Sequence, residues 1–156
     1  MNANKRFTRS TSTPMFALRF LTVALAVAFA LKAHAAPTGG VVAAGSASIS
    51  AQGGNTTVVQ TTPGAVINWQ GYSVGAAESV RYVQPSSSAV ILNRVTSPNP
   101  SNIQGSISAN GKVFLVNPNG ILFGPNAQVN VGGMVASTLE ISDANFMSGN
   151  YKFMKV

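Results

Sequence analysis

No cysteine occurs in the 156 residues, so any folded form of this chain holds together without disulfides, by backbone pairing and apolar packing. Histidine occurs once, at His34, and acidic residues three times, at Glu78, Glu140 and Asp143. Beyond residue 35 there is neither histidine nor cysteine. That removes the usual ligands of zinc, copper and haem, and the bases of Ser-His-Asp and Cys-His catalysis. Glycoside cleavage needs two carboxyl groups facing one bond. Glu140 and Asp143 are the one candidate pair, and a capping role at the surface is the commoner fate of such a spacing. Glu78, beside a strand starting at Ser79, reads as a solvated corner. No Gly-rich loop ends in the Lys-Ser/Thr of a phosphate cradle. Neither catalysis nor a cofactor is expected.

Charge is scarce too, at 8% of residues against roughly 25% in a typical soluble domain. The net charge of +7 suggests nucleic acid until its distribution is read. Lys5, Arg6, Arg9, Arg19 and Lys32 all lie before residue 36. Beyond it, Arg81, Arg94, Lys112, Lys152 and Lys155 face the three acids, leaving only +2. No basic run of the kind that neutralises a row of phosphates survives there, so no nucleic-acid partner is expected.

Long apolar runs are also missing. The longest, from Phe20 to Leu31, has 12 residues with Thr22 as its one polar member, which suits the roughly 7–15 of a signal-peptide core and falls short of the ~20 that span a membrane. Basic residues precede it and Ala33-His34-Ala35 follows. Ala33 and Ala35 supply small side chains at −3 and −1, which places the new terminus at Ala36 and divides the chain into a leader, 1–35, and an exported part, 36–156. The general secretory machinery and a signal peptidase are the partners this implies.

The exported part is rich in Gly, Ser, Thr, Asn, Ala and Val, and a 46% hydrophobic content argues against disorder. Short strands are expected near 46–51, 56–60, 65–69, 79–83, 89–93, 105–109, 112–116, 121–123, 128–131 and 134–138, with residues 97–101 as a loop. Pro63-Gly64, Gly71, Gly75 and residues 85–88 punctuate them. Apolar residues pair at spacing two, as in Val113/Leu115, Ile121/Phe123 and Val129/Val131, and the first members of these pairs are eight apart. A sandwich and a parallel β-helix both suit such short strands. Single-turn corners favour the helix, as does the scarcity of hairpin signals, of which Asn110-Gly111 is the strongest. One brief α-helix is expected, capped by Ser142, running from Asp143 to Met147 and ended by Gly149. Asn55-Thr56-Thr57 matches a glycosylation pattern that carries little information in an Asn- and Thr-rich chain. Trp69 and Tyr72 are candidates for stacking on sugars, although a lone Trp in an apolar strand is more often core or solenoid surface.

Asn117-Pro118-Asn119-Gly120-Ile121 is the sharpest local pattern. By itself it is a β-turn: Pro118 presets φ, Asn119 tolerates the next position, Gly120 allows the exit and Ile121 returns to the core. The surrounding run, Val113-Phe114-Leu115-Val116 before it and Leu122-Phe123-Gly124 after it, continues through residues 127–138. It closely resembles the N-terminal secretion domain of two-partner-secretion exoproteins, the filamentous haemagglutinin family. Residues 65–70, 78–84, 89–96, 139–146 and 151–153 resemble that family in order and spacing, so the likeness covers residues 37–153.

The resemblance implies an all-β, right-handed parallel β-helix that reaches the periplasm unfolded. There the periplasmic domains of a dedicated outer-membrane β-barrel transporter would recognise it, with folding at the surface of a Gram-negative bacterium or in the medium. It implies a secretion role for Asn117, Pro118, Asn119, Gly120 and Ile121, either by touching the transporter or by shaping the first coils. It also implies a surface adhesin or haemagglutinin as cargo, with a host glycan or protein as target. Ser97-Pro98-Asn99-Pro100 does not match the second motif, Asn-Pro-Asn-Leu, of some relatives. Family secretion domains run on past the point where this sequence stops, so a truncated or fragmentary exoprotein is expected, with a bare coil end costing on the order of 5 kcal/mol. The rival readings are a self-standing secreted β-solenoid that binds carbohydrate or a host surface through Trp69 and Tyr72, and a polysaccharide-cleaving β-helix.

Overall fold

The protein is described here by a computed structural model covering residues 35–155. The basic segment, the apolar run, Ala33 and His34 lie outside the described residues; Ala35 and Ala36 open them. Among these residues no helix is long and apolar enough to cross a membrane.

In chain order the strands are β1 (Val41–Ala44), β2 (Ala47–Gln52), β3 (Asn55–Gln60), β4 (Gly64–Trp69), β5 (Ser79–Val83) and β6 (Val90–Val95). They continue as β7 (Ser101–Ile103), β8 (Ser106–Ala109), β9 (Lys112–Val116), β10 (Ile121–Phe123), β11 (Gln128–Asn130) and β12 (Gly133–Ser137), followed by helix α1 (Asp143–Met147). From β3 onward, consecutive strands enter different sheets and each strand pairs in parallel with its counterpart one coil away. One wall stacks β3, β5, β8 and β11, with Asn55 over Ser79, Ser106 and Gln128. A second stacks β4, β6, β9 and β12, with Gly64 over Val90, Lys112 and Gly133. The third pairs β7 with β10. The result is a β-solenoid of about four turns, and the sandwich alternative falls away. The eight-residue interval between Val113, Ile121 and Val129 is the step from one wall to the next, since these residues open the walls formed by β9, β10 and β11.

Alternation along each strand sends every second side chain inward. Ala65, Ile91 and Val113 stack in one wall and Val80 over Ile107 in another, all fully buried. Full burial of such aliphatic side chains contributes about 1.5–3 kcal/mol each. Some inward positions are polar, Thr56 and Asn93 among them. Asn93 lies in register between Ile67 and Leu115 and is wholly buried. Its Oδ1 accepts from Trp69 Nε1 and from the Tyr82 hydroxyl, both at 2.9 Å, and its Nδ2 donates to Phe114 O at 3.2 Å. Because the Tyr82 proton goes to Asn93, Tyr72 donates to Tyr82 across 2.8 Å. Burial pushes both phenols well above their ordinary range, Tyr82 further through its contact with Tyr72. At a second inward corner Gln84 Nε2 donates to Gln60 Oε1, and Asn110 exchanges two hydrogen bonds with the Gln84 backbone.

The N-terminal end departs from the parallel pattern. β1 runs antiparallel to β4, and β2 forms an antiparallel hairpin with β3. The hairpin turns at Gly53 and Gly54, with φ of +57° and +85°, as a type I′ turn requires at both central positions. The expected hairpin signal, Asn110-Gly111, instead joins β8 to β9 as a corner between walls. There Gly111 is needed for space: a Cβ would stand 2.7 Å from Ala89 O. The loop expected at 97–101 ends one residue earlier, because Ser101 begins β7.

Candidate functional site: the Asn-Pro-Asn-Gly-Ile corner

The corner links β9 to β10. Gly120 N donates to Asn117 O at 3.0 Å, closing a β-turn over residues 117–120. Among the described residues no non-glycine has positive φ, so Asn119 takes the third position of a type I turn, while Gly120 leaves it at φ +109°. Asn117 is fully buried and works in three directions. Its Oδ1 accepts from Asn119 N at 3.0 Å, which tightens the turn, and its Nδ2 donates to Asn99 O and to Ser101 Oγ, both at 3.0 Å. Asn119 Nδ2 reaches Ser97 O at 2.9 Å, and Ser101 N donates to Gly120 O at 2.9 Å. The corner is thus sewn to the corner of the preceding coil. Ile121 turns back and packs against the interior core.

Pro118 and Asn119 face outward. Beside Pro118 lies an open, mainly apolar groove of about 690 Å³ bordered by Arg94, Glu140, Ile141, Ser142 and Met154. Its far side is the C-terminal segment, which covers the outer face of the β4-β6-β9 wall. Ser142 caps α1 by accepting from Asn145 N at 3.2 Å, and Phe146 and Ile141 bury themselves against Val66, Leu92, Phe114 and Val116. Phe114 meets Phe146 edge to face at 5.2 Å and stacks on Phe153 at 6.4 Å.

Glu140 and Asp143 do converge, on Arg94. Its Nε is 3.1 Å from Glu140 Oε2, its Nη1 2.8 Å from Asp143 Oδ1 and 2.9 Å from Asn68 Oδ1, and its Nη2 donates to Ile141 O at 2.5 Å. Asp143 is therefore both an acid in the first turn of a helix and an ion-pair partner. Sequence reading missed Arg94. Its one signal was an odd position, since a strand with buried neighbours on both faces places a cation among them only where carboxylates meet it. Among the described residues no cluster of three or more acidic, His or Cys groups is placed to hold a metal.

Two expectations are corrected. Trp69 and Tyr72 are buried, 1% and 2% exposed, with rings packed edge to face at 5.8 Å inside the coil. Neither can stack on a sugar, because the inward strand position that hides Trp69 also points it at Asn93. Glu78 is more than a solvated corner, since Gly75 N and Ala35 N donate to its two carboxylate oxygens at 2.7 and 2.9 Å.

A parallel solenoid with an antiparallel N-terminal cap, a buried Asn-Pro-Asn-Gly corner and a covered outer wall defines a class. The family described as TPS secretion domain matches residues 33–155. This chain belongs to that family, which serves the export of two-partner-secretion exoproteins and is not enzymatic. The crystal structure of the HMW1 secretion domain from Haemophilus influenzae superposes with a TM-score of 0.73 at 36% identity, over 77% of this chain and 32% of that one. A heme/hemopexin-binding protein of Haemophilus influenzae (strain ATCC 51907 / DSM 11121 / KW20 / Rd) is 41% identical over 105 residues, 67% of this chain and 12% of that protein. A second heme/hemopexin-binding protein of Haemophilus influenzae is 38% identical over 99 residues, 64% of this chain and 11% of that protein.

Proposed function

We propose that this chain is the export address of a larger surface or secreted exoprotein, read by a cognate outer-membrane β-barrel transporter through its periplasmic domains. The observation that carries this reading is the match of a secretion-domain family to residues 33–155 of a solenoid of the same fold. In this reading residues 1–35 are the leader, signal peptidase cuts after Ala35, and the exported chain meets the transporter before it folds. An unfolded chain offers main-chain donors and acceptors to a sheet edge, which suits recognition by strand addition.

The five motif residues divide their work. In the folded coil Asn117, Gly120 and Ile121 shape the corner from within while Pro118 and Asn119 stay exposed on it; before folding all five are open to the transporter. The cargo is an adhesin or haemagglutinin directed at a host surface glycan or protein. Haem or hemopexin binding is not carried over, because the likeness reaches only 12% and 11% of those relatives. Deleting the cognate transporter gene in the native host tests the reading. Export of the exoprotein stops and the leaderless chain accumulates or is degraded in the periplasm; undiminished export without the transporter would sink it.

A further inference from the structure

The N-terminal end of the coil places a carboxylate beside the bond at which the leader is cut. Glu78 is held by its own turn, with Glu78 N donating to Gly75 O at 2.9 Å and Gly75 N to Glu78 Oε2 at 2.7 Å. The other oxygen, Oε1, receives the Ala35 amide at 2.9 Å. Ala35 is the residue that leaves with the leader. The position of the next residue is fixed from downstream: Pro37 is buried, Thr38 N donates to Gly71 O at 2.9 Å and Gln70 N to Thr38 O at 3.0 Å. Gly40 lies so close to Trp69 that a Cβ would stand 2.6 Å from its ring.

We propose that Glu78 is the receptor for the α-ammonium group of the processed chain. Hydrolysis of the Ala35–Ala36 bond puts the hydroxyl of water on the Ala35 carbonyl carbon and one proton on the Ala36 nitrogen, which takes a second from solvent to become cationic. Successive residues stand only about 3.8 Å apart, so the freed Ala36 amine takes the place of the departed Ala35 amide after a small rotation. A neutral hydrogen bond is thereby replaced by a charge-assisted one, which is shorter and stronger. Among the described residues, the cleft around Glu78 is lined by Ala76, Ala77, Ser79, Gly105, Asn126 and Gln128, none of which carries a charge. Removing the leader therefore does more than release the chain: it creates the cation that fastens the first coil over its N-terminal cap.

This inference rests on the leader reading above, and the test separates the two. The secreted chain is purified and its terminus read by mass spectrometry, then the α-amine is reductively methylated with 13C-formaldehyde and titrated by NMR in the native state and in urea. The expected result is a terminus at Ala36 whose amine titrates about half a pH unit or more higher in the native state than in urea. In a folded Glu78→Gln chain that difference disappears. A terminus at Ala36 with equal native and urea titrations overturns the ion pair and leaves the leader reading standing; this comparison needs no variant to fold. A terminus elsewhere overturns both.

Discussion

Replacing Asn117 with alanine removes one acceptor and one donor group that together make four hydrogen bonds, with Asn119 N, Asn119 Nδ2, Asn99 O and Ser101 Oγ. Each contributes about 0.5–1.5 kcal/mol net, and Ser101 is wholly buried, so its hydroxyl is left without that donor and without water. The sum is about 3 kcal/mol, a large part of the ~5–15 kcal/mol that keeps a domain folded. For a chain of this size 1 kcal/mol moves Tm by about 4 °C, so the midpoint falls by about 12 °C. The assay is thermal melting of the secreted chain followed by far-ultraviolet circular dichroism, with Pro118→Ala as the control. The exposed Pro118 ring makes no hydrogen bond, and that variant loses no more than about 3 °C. If Asn117→Ala melts within about 3 °C of the parent, the corner is not held by this side chain and the division of labour among the motif residues is wrong.

Asn93→Leu keeps the volume but strands the Trp69 indole N–H and redirects the Tyr82 hydroxyl, so urea unfolding shows a loss of about 2–4 kcal/mol; a neutral or stabilising result would mean the network is dispensable. Phe146→Ala opens the packing between α1 and the outer wall and costs about 3–5 kcal/mol, with hydrogen exchange rising first at residues 139–155. Arg94→Met leaves two partly exposed carboxylates without their cation. Solvent and salt screen them, so the loss is about 1–2 kcal/mol and shrinks in 1 M salt. The phenols of Tyr72 and Tyr82 are raised from 10.0 by burial. Their contribution to stability is complete below pH 10 and is lost as pH climbs toward the folded-state values. Tyrosinate absorbance from them is therefore expected to appear together with alkaline unfolding; a separate earlier ionisation would refute their burial.

Much of the fold was legible because solenoid coils are local. β5, β9 and β10 and the helix Asp143–Met147 begin and end where turn residues and alternation place them. The corner at 117–121 was readable for the same reason, since Pro118 and Gly120 constrain the backbone whatever surrounds them. The missed features are those whose cause lies far away in sequence. β1 is four small apolar residues with no turn of its own, and becomes a strand only because β4 offers it an edge. β7 looks like loop until β10 pairs with it. Asn93 reads as a strand's polar face, and its inward direction follows from the register of β4 and β9. The Gly53-Gly54 hairpin was legible as well, since a glycine pair meets the same φ requirement as Asn-Gly.

The two ends of this coil differ physically, and the difference gives its winding a direction. At the N-terminal end, β1 and β2 cross the parallel ladders in the opposite sense, and Val42, Ala47 and Ile49 close the interior. Both pairings can form early in the chain, since the hairpin between β2 and β3 spans a two-residue turn and its closure costs little entropy. Every later coil then has a template whose register is already set, because a one-residue slip would send Val80 or Ile107 to the outer face and Arg81 or Lys112 inward. Among the described residues, β10 and β11 leave the inward Phe123, in register with Ile103, 38% exposed and Val129, in register with Ile107, 40% exposed. Apolar side chains of this kind are stabilised by whatever covers them, whereas at the N-terminal end the antiparallel β1 and β2 already cover the first parallel coil. A chain that winds from its N-terminal end therefore meets a favourable next step on one side. Disabling the cap tests this directionality: a Gly53→Val/Gly54→Val double variant, forced to place β-branched residues at positive φ, is expected to refold at least about tenfold more slowly than a chain altered equally in stability at Phe146. Equal refolding rates would place nucleation elsewhere in the coil.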